Sequence, residues 1–144
     1  MTTNVKPPKY FMVISIVSLL WNLMGVLAFL GDQFVTDEVL AKMPEIDQKI
    51  RAMYPSWSAI VYGVATISAA IASLGLTMKK RWSHYLFLVS LIAILIQSYF
   101  TFFVIDFIAL KGFGAETILS ILILVIGVFL LWFSYKAMKK RWIV

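Results

Sequence analysis

Two side-chain amides set inside long apolar runs, Asn22 and Gln97, carry the most chemical interest in this chain. Tyr10 and Tyr85 open the two runs, and each amide follows twelve residues later, which predicts equal depth near the middle of a membrane. An amide in hydrocarbon needs a hydrogen-bond partner. In one reading the two bond each other or a neighbouring backbone and act as glue worth about 0.6–2 kcal/mol. In the other, with Trp21, Tyr62 and Tyr99 beside them, they form a midplane site for a polar solute, the depth at which transporters bind their substrates. Asp106 falls at the outer end of its run, where it can reach water or pair with Lys111, and no charged residue is expected deep in the membrane. His84 follows a basic cluster at a membrane surface, where headgroup contact is expected of it. No Ser-His-acid set, metal-ligand spacing or phosphate loop can be assembled. The chain has no Cys and one His, which excludes thiol chemistry, disulfides and a His-rich zinc site. The expectation is therefore no catalytic residue, no metal and no cofactor.

The 144 residues are 62% hydrophobic and only 14% charged, with a mean hydropathy of +0.92. Soluble domains carry roughly 25% charged residues. A soluble chain of this size has too little interior for so many apolar side chains. These proportions exclude a cytosolic enzyme and a disordered tail, and predict an integral membrane protein. The net charge of +6 then reads as membrane asymmetry and not as nucleic-acid binding.

The positioning elements are four apolar runs, at about 10–30, 57–78, 85–107 and 118–135. Each has the length to cross hydrocarbon as a helix, the conformation that closes all backbone hydrogen bonds within the segment. The first run is longer than the apolar region of a secretory signal, and is expected to be retained. Together they predict a single transmembrane domain over 1–144: an all-α four-helix bundle.

Lys6, Lys9, Lys79, Lys80, Arg81, Lys136, Lys139, Lys140 and Arg141 fall on one side of that topology, with no acid. Lys42, Lys49, Arg51 and Lys111 fall on the other with all seven acids. The positive-inside rule places both termini in the cytoplasm. Tyr10, Trp82, Tyr85, Trp132, Tyr135 and Trp142 are expected as anchors at the inner interface, and Tyr54 and Trp57 at the outer one. Lys79, Lys80, Arg81, Lys139, Lys140 and Arg141 are candidate contacts for lipid headgroups.

The outer loop, 31–56, predicts a short helical cap. Thr36 is a plausible N-cap, Pro44 opens a second helix at its first position, and Ser56 caps the next membrane helix. Each membrane helix carries a stripe of small or polar residues: Ser15, Ser18, Asn22 and Gly25; Ala59, Gly63, Thr66, Ala70 and Ser73; Ser90, Ala93, Gln97 and Thr101; Thr117, Ser120, Gly127 and Ser134. Small residues let helices approach closely in lipid, so the stripes predict the bundle interior. The second run is small on two faces, with Ala65, Ala69 and Ala72 as well, and should be the most enclosed. The pentapeptide Met-Lys-Lys-Arg-Trp at 78–82 recurs at 138–142, from a duplicated hairpin or from convergence on a common cytoplasmic helix end.

Several of these motifs together resemble a family of small bacterial membrane proteins with four predicted helices. They are Lys6-Pro7-Pro8, Trp21-Asn22-Leu23-Met24-Gly25, Thr36-Asp37-Glu38, Pro55-Ser56-Trp57 and Lys80-Arg81-Trp82. The likeness covers roughly the first two thirds of the chain. Members are often labelled "sugar transporter", and the resemblance implies no catalytic residue or cofactor. The expected location is the bacterial cytoplasmic (inner) membrane, as a multi-pass protein. The expected role is a non-enzymatic accessory or assembly subunit of a larger membrane complex. The alternative is an oligomeric transporter or channel for a small neutral solute. Membrane lipids, other membrane subunits or further copies of the chain are the expected partners, without nucleic acid.

Overall fold

The computed structural model describes residues 3–144, which form helices and turns and, among the described residues, no strand. In chain order these are α1 (Lys9–Gln33), the short α2 (Asp37–Lys42) and α3 (Glu45–Met53), then α4 (Trp57–Thr77) and α5 (Trp82–Tyr99). A π-helical turn (Phe100–Val104), the short α6 (Phe107–Lys111) and α7 (Ala115–Lys139) complete the chain. Four of them, α1, α4, α5 with its π turn, and α7, are long and apolar enough to cross a membrane. A 25-residue helix such as α1 or α7 is about 37 Å long, against a hydrocarbon core of about 30 Å. The chain is a multi-pass, all-α membrane protein built on a four-helix bundle.

Helix order in space follows helix order in sequence. α4 packs on α1 and on α5, and α5 packs on α7. The small-residue stripes face these contacts: Ser15, Ser18, Asn22, Gly63, Ala70, Ser73, Ser90, Ala93, Thr117 and Ser134 are all buried. α4 is the most enclosed, with 44% of its most apolar stretch buried against 17–22% for the others. Two glycines set its spacing. A Cβ on Gly63 would lie 2.9 Å from the Phe29 ring of α1, and one on Gly75 would lie 2.6 Å from the Trp82 indole of α5. The outward faces, such as Leu20, Ile60, Ile92 and Val125, remain exposed, as lipid contact requires.

The core lies at the basic end. Phe11, Ala72, Leu76, Phe87, Leu130, Phe133 and Ala137 close it, with Trp142 and Ile143 tucked beneath. Trp142 is only 6% exposed and packs edge-on against Tyr10 and Phe11, so it is a core residue and not the interface anchor expected of it. Tyr10, Trp82, Tyr85, Trp132 and Tyr135 do stay exposed at that end.

The reason is local. α4 ends with Lys79 in the left-handed region, where the N–H of Lys80 donates to Gly75 O at 2.8 Å. α7 ends with Arg141 in that region and Trp142 N–H donating to Ala137 O at 2.9 Å. Both are Schellman-type stops. They fall two residues apart within the same pentapeptide, so one Trp begins a helix and the other folds inward. Val144 then pairs its backbone with the α4–α5 turn, through Lys79 O at 3.1 Å and Arg81 N–H at 3.0 Å.

Other expectations shift by small amounts. Pro44 precedes α3 as its N-cap instead of its first residue, and Ser56 adopts helical angles without capping α4. Thr36 does cap α2, accepting from Val39 N–H at 3.3 Å. The third span is not one uniform helix to residue 107. It passes into the π turn, where Ile105 N–H donates to Phe100 O, and stops at Asp106, which adopts left-handed angles. Asp tolerates that conformation better than most residues. The wider turn lets Phe100 pack against Tyr54 and Trp57, with ring centroids 5.8 and 5.3 Å apart.

Gly75→Ala should force the Trp82 indole out of place and cost about 1–3 kcal/mol. Denaturation of the purified protein in detergent measures this, and adding Trp82→Ala should recover most of the loss. Equal stability of Gly75→Ala and the natural protein would refute the close approach.

Candidate functional site

The two midplane amides do not meet. Asn22 Nδ2 donates to Ser73 Oγ of α4 at 2.6 Å, while Gln97 Nε2 donates to Ser58 Oγ of α4 at 3.0 Å. Ser58 and Ser73 are fifteen residues apart, about 22 Å of helix rise. The expectation of equal depth is therefore corrected: Asn22 sits in the lower half of the bundle and Gln97 near its acidic end. The tyrosines used to align them do not mark equal levels relative to α4, the helix both amides use.

Both amides nonetheless line one cavity, of about 810 Å³, reaching from Asn22 to the acidic end. All four long helices contribute to it. Trp21 and Tyr62 line it as well. Tyr99 does not: it is 62% exposed and stacks on Phe103 on the outer face of the bundle. Four of the five candidate residues are thus brought together. Below the cavity a void of only about 30 Å³ remains, between Trp21, Ser90, Gly127 and Leu130. That is room for about one water molecule, so the aromatic core blocks the path to the basic end.

The depth of the cavity is neutral. Asn22, Thr66, Gln97, Ser98, Ser120 and Tyr62 supply its polar groups, between Ala65, Ile94, Met24 and Ile123. Thr66 Oγ1 donates to Tyr62 O at 3.0 Å and Ser120 Oγ to Glu116 O at 3.0 Å, so these hydroxyls are satisfied within their own helices. Charge appears only at the mouth. Arg51 of α3 pairs with the Asp32 carboxylate and donates through Nη2 to Asp32 O at 2.7 Å, tying the cap to the end of α1. Lys111 of α6 pairs with Asp47 of α3 and with Glu116 of α7 at 2.7 Å. The Asp106–Lys111 pair is not formed: Asp106 is exposed at its turn, and Lys111 reaches the other way. Tyr54 OH shares a 2.7 Å hydrogen bond with Thr101 Oγ1.

Several of these residues were not candidates from sequence. Asp32, Arg51, Ser58 and Ser98 carry no local signal, because each gains its role from a partner or neighbour distant in the chain, while Thr101 lies on a small-residue stripe and Tyr54 is expected only as an interface anchor. Ser73 likewise lies on a small-residue stripe. His84 also finds a specific place, its Nδ1 lying 2.9 Å from Ser134 Oγ of α7. The six candidate headgroup cations ring the basic end: Lys80, Arg81, Lys139, Lys140 and Arg141 are exposed and Lys79 partly so, and among the described residues none forms an ion pair. Lys139 Nζ lies 5.4 Å from the centre of the Tyr135 ring. Comparison with protein-family models, curated proteins and solved structures finds no match to this chain.

The cavity's edge is not symmetric. α1 and α7 are not among the closely packed helix pairs. They meet at the basic end, where Phe11 stacks on Phe133 at 5.8 Å, and towards the acidic end both line the cavity. The bundle is thus a cleft with a closed root.

Two measurements follow. Asn22→Leu should cost about 0.6–2 kcal/mol, and Asn22→Leu with Ser73→Ala should cost little more than the single change, in detergent denaturation. Additive losses would mean the bond is not made. The second concerns alkali. The hydrogen bonds that Lys111 donates to Asp47 and Glu116 raise its pKa above 10.5, and burial raises that of Tyr54 above 10.0, against the lowering effect of its Thr101 bond. Both groups hold protons more tightly in the folded protein. Their contribution is complete below about pH 10 and is lost as the pH rises through the raised values. Lys111→Met should flatten that alkaline loss, read as thermal stability against pH.

Proposed function

We propose that the protein is a non-enzymatic membrane protein that takes up a small, uncharged polar molecule in the cleft, from the acidic side. One observation carries the reading: a cavity of about 810 Å³ shared by all four membrane helices, neutral at depth and charged only at its mouth. Ligand sites typically occupy about 300–1,000 Å³, mostly apolar with a few placed polar groups. Gln97, Ser98, Tyr62 and Asn22 are those groups here. The absence of a charged group at depth favours a neutral ligand, because an ion would lie uncompensated in a low-dielectric site. The charge asymmetry of the two ends supports a cytoplasmic basic end. The acidic mouth then faces outward, in the bacterial cytoplasmic membrane that the resemblance of the motifs implies. One chain, closed at its root, binds; passage across the membrane would take a second conformation or an oligomer.

A second reading, an accessory subunit of a larger membrane complex, draws on the same cavity edge between α1 and α7. Gly25, Ala28 and Ser120 lie along the cavity between these helices, and small residues are where another membrane helix docks. Gentle extraction from the native membrane followed by mass spectrometry separates the two. A partner at fixed stoichiometry favours the subunit.

The cavity itself is testable because the chain has no cysteine. Ser98→Cys should react with a membrane-impermeant maleimide added to the acidic side, while Ser15→Cys, at a fully buried position at the basic end, should not. An unreactive Ser98→Cys would remove the water-accessible cavity and the binding reading with it.

A further inference from the structure

We infer that the ligand is an amphiphile: an uncharged, hydroxyl-bearing head held in the cavity, with an acyl chain leaving sideways between α1 and α7 into the bilayer. This rests on the binding reading above and names its ligand class.

The first argument is where the cleft opens. Met24 on α1 and Leu119 and Ile123 on α7 line the cavity, yet are 64, 49 and 38% exposed, so they form its outer edges. Ile123 lies eight residues into α7, about 12 Å below its acidic end. That depth is inside the hydrocarbon of a membrane about 30 Å thick. A water-soluble solute would there be bounded on one side by lipid tails. An acyl chain meets the same edge at no cost, because it exchanges one apolar neighbour for another.

The second argument is the head chemistry. The ionic groups at the mouth are taken: Arg51 by Asp32, and Glu116 by Lys111. The polar side chains that line the cavity below the mouth are neutral: Trp21, Tyr62, Ser98 and Gln97, the last already bonded to Ser58. These fit hydroxyl and ester oxygens better than a phosphate or an ammonium group.

The test uses the full chain in phosphatidylcholine nanodiscs, with monooleoylglycerol as the amphiphile and glycerol as its free head. Ala59→Cys, at a cavity-lining position outside the polar head contacts, is modified by the impermeant maleimide in each condition. Monooleoylglycerol at ten times its Kd should slow modification about tenfold, because only about a tenth of the sites stay free. Glycerol should not slow it. In the unmodified protein, a monoacylglycerol with a photoreactive group on its chain should label Met24, Leu119 and Ile123 above lipid-facing Leu88 and Ile92. Protection by glycerol but not by the lipid would overturn the amphiphile and leave the cavity reading intact. Equal labelling of the edge and the outer faces would overturn it too. A cysteine unreactive in every condition removes the cavity reading, and this inference falls with it.

Discussion

Hydrocarbon gives two apolar helices no reason to prefer each other over lipid, and this constraint shapes the whole bundle. Association must come from close packing and from polar groups that have nowhere else to go. Each neighbouring pair of long helices has both. Asn22 joins α1 to Ser73 of α4. Ser90 Oγ of α5 donates to Ala65 O of α4 at 2.6 Å, and Gln97 reaches Ser58 of the same helix. His84 joins α5 to Ser134 of α7. Where α4 presents a glycine, at Gly63 and Gly75, a large ring of the neighbouring helix fills the space opposite. α4 receives most of these contacts, which is why it is the helix with two small faces.

The seam that lacks this treatment is α1 against α7. Its contact is aromatic, near the basic end, with Phe11 on Phe133 and Trp142 beneath. Higher up, the sides of these two helices carry Met24, Leu119 and Ile123. The cleft follows from this division of labour. Three seams are tied and one is pinned only at its root, so the space among four helices opens on the fourth side. Polar groups that would otherwise have been excluded from an apolar core can line it.

Architecture was legible in the residues because it depends on properties summed over long windows. The four runs, the buried stripes and the enclosure of α4 all follow from composition and from the 3.6-residue period. The π turn and the left-handed Asp106 were not legible, since they respond to Phe100 meeting Tyr54 and Trp57, residues far away in the chain. The site was half legible. An amide in an apolar run announces that it needs a partner, and Asn22, Gln97, Trp21 and Tyr62 do share one cavity. It does not announce which partner, and equal spacing from two tyrosines proved no guide to depth in helices that meet α4 at different levels. Identical pentapeptides ending α4 and α7 in different registers make the same point: a local string offers several stops, and the packing of Trp82 and Trp142 selects among them.

α1 is held along its length by one neighbour only, α4, from Asn22 on Ser73 to Phe29 against Gly63. At its far end stands the Arg51–Asp32 pair, the clip between α1 and the cap. Partly exposed pairs of this kind contribute about 0–1 kcal/mol to folding. The clip therefore fastens the cap to α1 while adding little to the bundle itself, and what it adds weakens as salt screens it.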